Sequence, residues 1–251
     1  MSQDEVDNRA VRSDTKDMSS KSRLCNTGRS EERMFDELEE ERRKALAVRL
    51  DDDDPDEDDD DEERGDKSGR ESVVALDLLR NERTIVISEP VTPKLTHRLL
   101  LQLLWLDSQS EKPIKLFINT PGGSADDGFA IHDLIRFVKA PVLNICVGLN
   151  ASAGSLILLA VPKERRLALP NARIMIHQPS GGGRGRVTDI EITADEILKL
   201  RARANELIAR ETGNPLEKVE RDTDRDCWLS AEESKTYGLV SRVVRSLRDI
   251  Q

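Results

Sequence analysis

The sequence contains no long hydrophobic run. No apolar stretch approaches the roughly 20 residues that a membrane-spanning helix needs, and the first residues lack the apolar core of a secretory signal. These absences argue against an integral membrane protein and against a recognisable secretory signal. We therefore expect a cytoplasmic protein that does not bind a membrane.

Cysteine is scarce as well. The three cysteines, Cys25, Cys146 and Cys227, are far apart in the chain and show no metal-ligand spacing. Structural zinc sites place pairs of cysteines or histidines a few residues apart. The spacing therefore gives no reason to expect a metal centre.

Basic residues are outnumbered by acidic residues only in the N-terminal part of the chain. Residues 1–73 carry 26 acidic and 14 basic side chains, whereas the rest of the chain carries 23 and 25. The net charge of −10 for the whole chain therefore comes from the N-terminal part. The remainder presents no strong field for nucleic acid, and we expect no nucleic-acid partner.

The acidic side chains are concentrated in the run DDDDPDEDDDDEE, from Asp51 to Glu63. Like charges at this density repel one another and bury no apolar surface, so residues 1–72 are predicted to form a disordered, acidic N-terminal extension. The sequence leaves two roles for this extension open: a solubilising tail, or an arm for docking or regulation.

From residue 73 onward, strand and helix signals alternate. Short β runs at Thr84–Ser88 and Ile114–Asn119 are followed by amphipathic helical segments, and Pro141–Gly148 has the composition of a buried parallel strand. Repeated β-then-α units predict an α/β domain over residues 73–251 with a largely parallel sheet. A long helix from about Thr188 to Thr212 stands outside this alternation as an appendage.

The stretch GLNASAGSLILLA, from Gly148 to Ala160, places two serines in an otherwise apolar run. Ser152 lies where a buried strand turns into a helix, so the N–H groups after it lack intrahelical partners and point toward it. The small Ala153 beside it leaves room for a substrate. Two interpretations stay open: Ser152 is a nucleophile, or Ser152 is a helix N-cap and Ser155 a small core residue.

A serine nucleophile needs a base, and the chain has only three histidines. His97 and His132 lie in amphipathic helices, where a position on the polar face is expected. His177 ends the apolar strand RIMIH just before a proline and a glycine-rich loop. Functional groups of α/β proteins gather at such strand ends, so His177 is the candidate base.

A carboxylate and a second oxyanion donor complete the candidate site. Asp226 ends the segment ERDTDRD against the apolar CWL, and we expect it to point inward beside Trp228. A solvated cluster of ion pairs is the alternative for this segment. The turn NTPGG offers the backbone N–H of Gly123 as an oxyanion donor, although an ordinary strand-to-helix turn explains the same residues.

Several stretches resemble one family. INTPGGSADDGFAIHD, ICVGLNASAGSLILLA, LPNARIMIHQP, TDIEI and LEKVERDTDRDCWLSAEESKTYGLV follow, in order and spacing, the pattern of ClpP, the proteolytic subunit of the Clp protease. The similarity runs from about Leu78 to Val244. Because several independent motifs agree, the resemblance is highly specific.

The resemblance implies roles for five residues. Ser152 corresponds to the nucleophile of the A-S-x-G segment, His177 to the base of M-I-H-Q-P, and Asp226 to the third member of the triad. The backbone N–H groups of Gly123 and Ala153 correspond to the oxyanion hole. The implied activity is that of a serine endopeptidase.

The resemblance also implies a fold and an assembly. The fold is a spiral of β-α units of the ClpP and crotonase type, with a protruding handle made by the glycine loop and the long helix, Ser180–Thr212. Two stacked heptameric rings, built from this chain alone or mixed with a ClpP paralogue, would enclose a chamber in which polypeptides are cut to short peptides. Arg225 is expected to pair across the ring interface. An AAA+ unfoldase such as ClpX, ClpA or ClpC would supply unfolded chains and consume the ATP, so this subunit itself would need no cofactor.

The chain departs from the family pattern in three places. Ala153 stands where a methionine is typical, which we expect to change a pocket wall, and Lys115 and Phe117 stand where the ATPase-docking strand commonly has tyrosines. The usual apolar segment ahead of Leu78 is not recognisable. The altered docking strand and N-terminus keep open a catalytically weak structural or regulatory ring subunit that assembles with a paralogue. A second alternative is a crotonase-like enzyme that acts on acyl-CoA, because that fold also makes oxyanion holes from paired backbone N–H groups.

Overall fold

A computed structural model describes residues 68–250, and in the first helix it describes side chains from Val73 onward. This helix, α1, spans Ser68–Glu82. It begins ahead of the boundary after residue 72 that the sequence analysis predicts. The rest of the predicted acidic extension, residues 1–67, lies outside the described residues.

Strands and helices alternate along most of the described chain. After α1 they are β1 (Thr84–Ile87), α2 (Pro93–Gln109), β2 (Ile114–Thr120), α3 (Ala125–Phe137), β3 (Val142–Ala151), α4 (Ala153–Leu158), β4 (Arg166–Ala168), β5 (Arg173–Ile176), α5 (Val187–Thr212), α6 (Leu216–Thr223), β6 (Cys227–Ser230), α7 (Ala231–Tyr237) and β7 (Arg242–Val243). Short 3₁₀ turns lie at Lys163–Arg165 and Leu247–Ile250. No helix of this described part is both long and apolar enough to cross a bilayer.

The strands form one sheet whose centre is β3. Strands β1, β2, β3, β4 and β7 lie side by side in that order and run parallel. Along its length β3 changes its neighbour: Asn144–Cys146 pair with β4, and Leu149–Ala151 pair with β5. Strand β5 also pairs with β6, in the antiparallel sense. The late part of β3 therefore lies beside the β5–β6 pair.

Helix α2 shows how the sequence pattern builds the core. Thr92 caps its N-terminus by accepting a hydrogen bond from the Leu95 N–H at 3.3 Å, and Pro93 occupies the first turn, as the Thr-Pro pair predicts. Its buried side chains recur at helical spacing on one face: Leu95, Leu99, Leu103 and Leu106. They belong to an apolar cluster with strands β1 and β2 and helix α3.

Helix α5 is the appendage that the sequence predicts. Its 26 residues correspond to a length of about 39 Å. Its buried residues, from Ala204 to Ile208, lie in the C-terminal half, whereas Val187 and Ile192 near its start are 68% and 62% exposed. The first half of α5 therefore projects from the body of the chain.

Candidate active site

The pairing of β3 with β5 fixes the position of Ser152. The residue directly follows β3, and its N–H donates to the Met175 carbonyl on β5 at 2.9 Å. Its backbone adopts φ 54° and ψ −121°, a conformation that is rare for a residue with a side chain. Ser152 stands at the N-cap position of α4, but its side chain makes no capping hydrogen bond to the helix.

The Ser152 hydroxyl instead belongs to a chain of three side chains. Its Oγ lies 2.8 Å from Nε2 of His177, and Nδ1 of His177 lies 3.0 Å from Oδ1 of Asp226. An ionised carboxylate can only accept, so Nδ1 of a neutral His177 carries the proton and Nε2 offers its lone pair to the serine hydroxyl. This arrangement can remove a proton from Ser152.

Strand register places Asp226 beside His177. In the antiparallel pair of β5 and β6, Ile176 lies opposite Cys227, so the next positions outward are His177 and Asp226. Beyond the strand, the Gln178 N–H donates to the Thr223 carbonyl at 2.7 Å. The end of α6 is thereby tied to the residue after His177.

The expectation that Asp226 points inward is wrong, whereas its expected place on the same strand face as Trp228 agrees with the structure. Cys227 and Leu229 face the core, each with 2% exposure. Side chains alternate along a strand, so Asp226 and Trp228 face the other way, and 58% of the Asp226 side chain is exposed. The carboxylate meets His177 at the surface of the described chain.

The turn after β2 packs directly against the Ser152 turn. At Gly122, with φ 92°, an added Cβ would lie 2.7 Å from Cβ of Ser152 and 3.1 Å from the Ala153 nitrogen. At Gly123, a Cβ would lie 2.3 Å from the Val91 carbonyl oxygen. No side chain fits at either position, so both glycines are required for this close approach.

Two backbone N–H groups near Ser152, those of Gly123 and Ala153, donate to no backbone carbonyl among the described hydrogen bonds. Val91 donates to Gly122 and accepts from Ser124, which leaves the N–H of Gly123 between these two bonds. In the Ser152 turn, the N–H groups of Ser152 and Ser155 are the backbone donors, and the N–H of Ala153 is not among the donors of the described residues. These are the two N–H groups that the sequence analysis proposes for an oxyanion hole.

The side chain of Ala153 faces the core. It is 3% exposed, and an ideal Cβ built on Gly128 of α3 would lie 3.1 Å from the Ala153 Cβ. The expectation that alanine at this position changes a pocket wall is therefore wrong for the described chain. The small side chain instead allows α3 to approach the Ser152 turn.

Sequence reasoning missed Thr120, which holds the PGG turn in place. The Thr120 side chain is fully buried, its Oγ1 donates to the Glu89 carbonyl at 2.7 Å, and it accepts from the Gly122 N–H at 3.2 Å. A threonine two residues before the glycine of a turn is the available sequence signal for such a contact.

The other two histidines lie apart from this site. His97 is exposed, as expected for a polar helix face. His132 is not on a polar face: it is 4% exposed, and its Nδ1 donates to the Leu156 carbonyl at 2.9 Å. Burial lowers the pKa of His132 below the ordinary value of 6.5, with the bond to Leu156 opposing that shift.

A cleft of about 700 Å³ opens beside His177. It is lined by the strand end and the glycine-rich loop on one side and by α5 on the other, including Ser180, Gly181, Ile197 and Asp226. The candidate base and its carboxylate therefore face a space large enough for part of a peptide. Within residues 68–250, no group of three or more histidine, cysteine, aspartate or glutamate side chains is arranged to hold a metal ion.

Fold and site together define an α/β protein with a serine, a histidine and an aspartate in one hydrogen-bonded chain at the edge of a mostly parallel sheet. The family model described as Clp protease matches residues 67–247. The chain belongs to the Clp protease family.

Curated relatives and solved structures agree with this assignment. The chain is 51% identical over 172 residues to ATP-dependent Clp protease proteolytic subunit 3 of Rhizobium johnstonii, a match that covers 68% of this chain and 89% of the relative. It is 51% identical over 171 residues to subunit 2 of Treponema denticola, covering 68% of this chain and 86% of the relative.

The structural comparison confirms the predicted ClpP fold. An asparagine-to-aspartate mutant of ClpP1 from Listeria monocytogenes superimposes with a TM-score of 0.66 at 42% identity. The match covers 71% of this chain and 99% of the other. The spiral of β-α units with a protruding handle is therefore the fold of this chain.

Proposed function

We propose that the chain is an active serine endopeptidase that hydrolyses polypeptides to short peptides. The observation that carries the proposal is the hydrogen-bond chain from Ser152 through His177 to Asp226, with distances of 2.8 and 3.0 Å. Membership of the Clp protease family supports it.

Acylation follows from the proton positions in this chain. Nε2 of His177 takes the proton of the Ser152 hydroxyl while Oγ attacks the carbonyl carbon of a peptide bond. Asp226 stabilises the imidazolium that forms. The negative oxygen of the tetrahedral intermediate accepts hydrogen bonds from the N–H groups of Gly123 and Ala153.

The intermediate then breaks down, and water completes the cycle. His177 gives its proton to the leaving amine, the C–N bond breaks, and an ester to Ser152 remains. Water attacks this ester, His177 takes the water proton, and the serine regains its hydroxyl as the acid product leaves. Every step uses groups of the chain, the peptide and water, so the proposed reaction needs no metal or cofactor in this subunit.

The cleft beside His177 is the proposed place for the peptide. It runs along the glycine-rich loop, where an extended chain can add as a strand held by main-chain hydrogen bonds. Such binding depends little on side chains, which favours cleavage of many sequences.

We propose that the exposed first half of α5 joins two heptameric rings into a closed chamber. Its apolar residues Val187 and Ile192 are 68% and 62% exposed in the single chain, and pairing between rings would bury them. Arg225 is exposed next to the site and is the proposed partner across this interface. The chamber would hold rings of this chain alone or rings mixed with a paralogue.

An AAA+ ATPase is the proposed source of unfolded chains. The names of the curated relatives describe ATP-dependent proteases, which supports such a partner. On β2, however, Lys115 lies 3.3 Å from the Glu82 carboxylate, and Phe117 packs partly against the core. This altered strand is the observation that favours the second candidate function, a regulatory subunit that assembles with a paralogue.

Hydrolysis of a fluorogenic peptide tests the proposal. Purified wild-type chain is compared with Ser152→Ala and with Ser234→Ala, which removes a buried hydroxyl that has no hydrogen-bond partner among the described residues. The proposal expects turnover by wild type and Ser234→Ala and none by Ser152→Ala. Equal rates for wild type and Ser152→Ala would remove the peptidase assignment.

Electron microscopy of the same samples separates the two candidate functions. Rings of this chain alone that cleave peptide support the active endopeptidase. Rings that form and cleave only after a paralogue is added, with cleavage unaffected by Ser152→Ala, support the regulatory subunit.

A further inference from the structure

We propose that Ser155 is a positioning residue that orients the oxyanion-binding N–H of Ala153. The inference rests on the proposed function, and it gives a chemical role to the second buried serine of the stretch that begins at Gly148. Ser155 itself touches no substrate: it acts through the backbone of the nucleophile.

The contact that carries the inference is short and comes from a buried residue. The Ser155 hydroxyl donates to the carbonyl oxygen of Ser152 at 2.6 Å, and the Ser155 N–H donates to the same oxygen at 2.8 Å. Ser155 is 2% exposed, so its hydroxyl has little access to water. The Ser152 carbonyl is therefore fixed by two donors from one residue.

Peptide planarity carries this restraint to the active site. The carbonyl of Ser152 and the N–H of Ala153 belong to the same peptide group, and in a planar trans peptide they point in opposite directions. Holding the Ser152 oxygen on one side therefore aims the Ala153 N–H toward the other. An accepted hydrogen bond also polarises the peptide, which makes that N–H a better donor to an oxyanion.

Other hydroxyl side chains also bond back to helix carbonyls: Ser108 and Thr223 reach three residues back, and Thr193 and Thr236 reach four. What distinguishes Ser155 is its acceptor, a residue whose φ of 54° is unfavourable for a side-chain-bearing residue. A strained backbone keeps its conformation only where neighbouring groups restrain it. The two hydrogen bonds from Ser155 restrain the backbone of Ser152 in this way.

The inference predicts a defect in the chemical step and none in peptide binding. Ser155→Ala should lower kcat about tenfold, the effect of one hydrogen bond in the transition state. KM should stay within about twofold, and the pH dependence of kcat should keep its shape because His177 and Asp226 are untouched. A residue that only stabilised the fold would lower the concentration of active enzyme and leave kcat unchanged once it is divided by the titrated number of active sites, so kcat is measured per active site.

Two further variants separate the hydrogen bond from packing. Ser155→Cys keeps nearly the same volume but offers only the weak donor of a thiol, so kcat should fall as it does in Ser155→Ala. Ser234→Ala is the matched control, because it removes a fully buried serine hydroxyl that has no described partner. Its kcat and KM should equal those of the wild type.

The affinities of a peptide aldehyde and of the matching peptide alcohol, measured by inhibition, test the oxyanion hole directly. Ser152 Oγ adds to the carbonyl carbon of the aldehyde, and the former carbonyl oxygen then lies in the oxyanion hole. The alcohol has no carbonyl group and only occupies the cleft. Ser155→Ala should weaken the aldehyde about tenfold and leave the alcohol unchanged. If aldehyde affinity is unchanged, or if Ser155→Cys restores the full kcat, the inference is overturned. Absence of Ser152-dependent turnover in the wild type would instead overturn the proposed function, and the inference with it.

Discussion

Ile176 and Cys227 lie opposite each other in the antiparallel ladder of β5 and β6, and this pairing places the next two residues outward, His177 and Asp226, in hydrogen-bond contact. The contact between the proposed base and the carboxylate that orients it is thus set by strand register. A shift of one residue would turn Asp226 to the other face of the sheet, away from the imidazole.

Asp226→Asn should lower kcat by roughly 10³–10⁴-fold while leaving the fold intact. The amide can donate to Nδ1 of His177, which favours the tautomer that carries its proton on Nε2 and cannot accept from Ser152. Steady-state hydrolysis of a fluorogenic peptide measures the effect. Glu217→Gln, an exposed position on α6, removes the same charge and should leave kcat unchanged. A kcat within tenfold of wild type in Asp226→Asn would contradict the role of the carboxylate.

Gly122→Ala should abolish measurable peptidase activity and lower the free energy of unfolding by about 1–3 kcal/mol. The added Cβ would lie 2.6 Å from the Ala151 carbonyl oxygen and 2.7 Å from Cβ of Ser152, so the two turns must separate. Gly213→Ala is the matched control, since its φ of 77° is also positive but a Cβ there meets nothing within 4 Å. Peptide hydrolysis and thermal unfolding are compared, and equal activity of the two variants would refute the close approach.

The unfolding free energy should fall as the pH drops below about 6.5, partly because of His132. Burial lowers the pKa of His132 in the folded chain, so the unfolded chain takes up the proton first and is stabilised relative to the folded one. Denaturant unfolding at about pH 7.5 and 5.5 measures the loss, which should be smaller in His132→Gln than in wild type. His97→Gln, at an exposed position, should show the wild-type loss. The same loss in all three proteins would contradict this role of His132.

Cys146 should resist alkylation in the folded chain. Burial raises the pKa of its thiol to about 12, so almost no thiolate is present near pH 8. Mass spectrometry after iodoacetamide treatment should find position 146 unmodified in native protein and modified after denaturation. Rapid modification under native conditions would show that β3 opens far more readily than its buried position indicates.

The sequence predicts the α/β alternation, the long α5 and the five candidate site residues because each leaves a local signal. Apolar runs, the Thr-Pro pair ahead of Leu95 and the glycines of the PGG turn are visible in short windows of sequence. The register between two strands, in contrast, depends on residues that are far apart in the sequence. Strand β6 is only four residues long, and nothing within it states that Cys227 pairs with Ile176.

The burial of single polar side chains could not be predicted from the sequence either. His132 sits in an amphipathic helix, yet its ring is turned inward because the Leu156 carbonyl offers a partner that is remote in sequence. The second serine of the Gly148–Ala160 stretch likewise looks like a packing residue until its bond to the Ser152 carbonyl is seen. Such contacts depend on how α3 and α4 meet and leave no periodic trace.

Covalent labelling tests the central claim most directly. A fluorophosphonate probe reacts with a serine only where a base removes its proton and N–H donors receive the developing charge. Peptide mapping of the labelled, assembled protein should find one adduct, on Ser152, formed much more slowly in His177→Ala and absent in Ser152→Ala. Peptide cleavage by an assembled wild-type protein in which Ser152 stays unlabelled would contradict the claim.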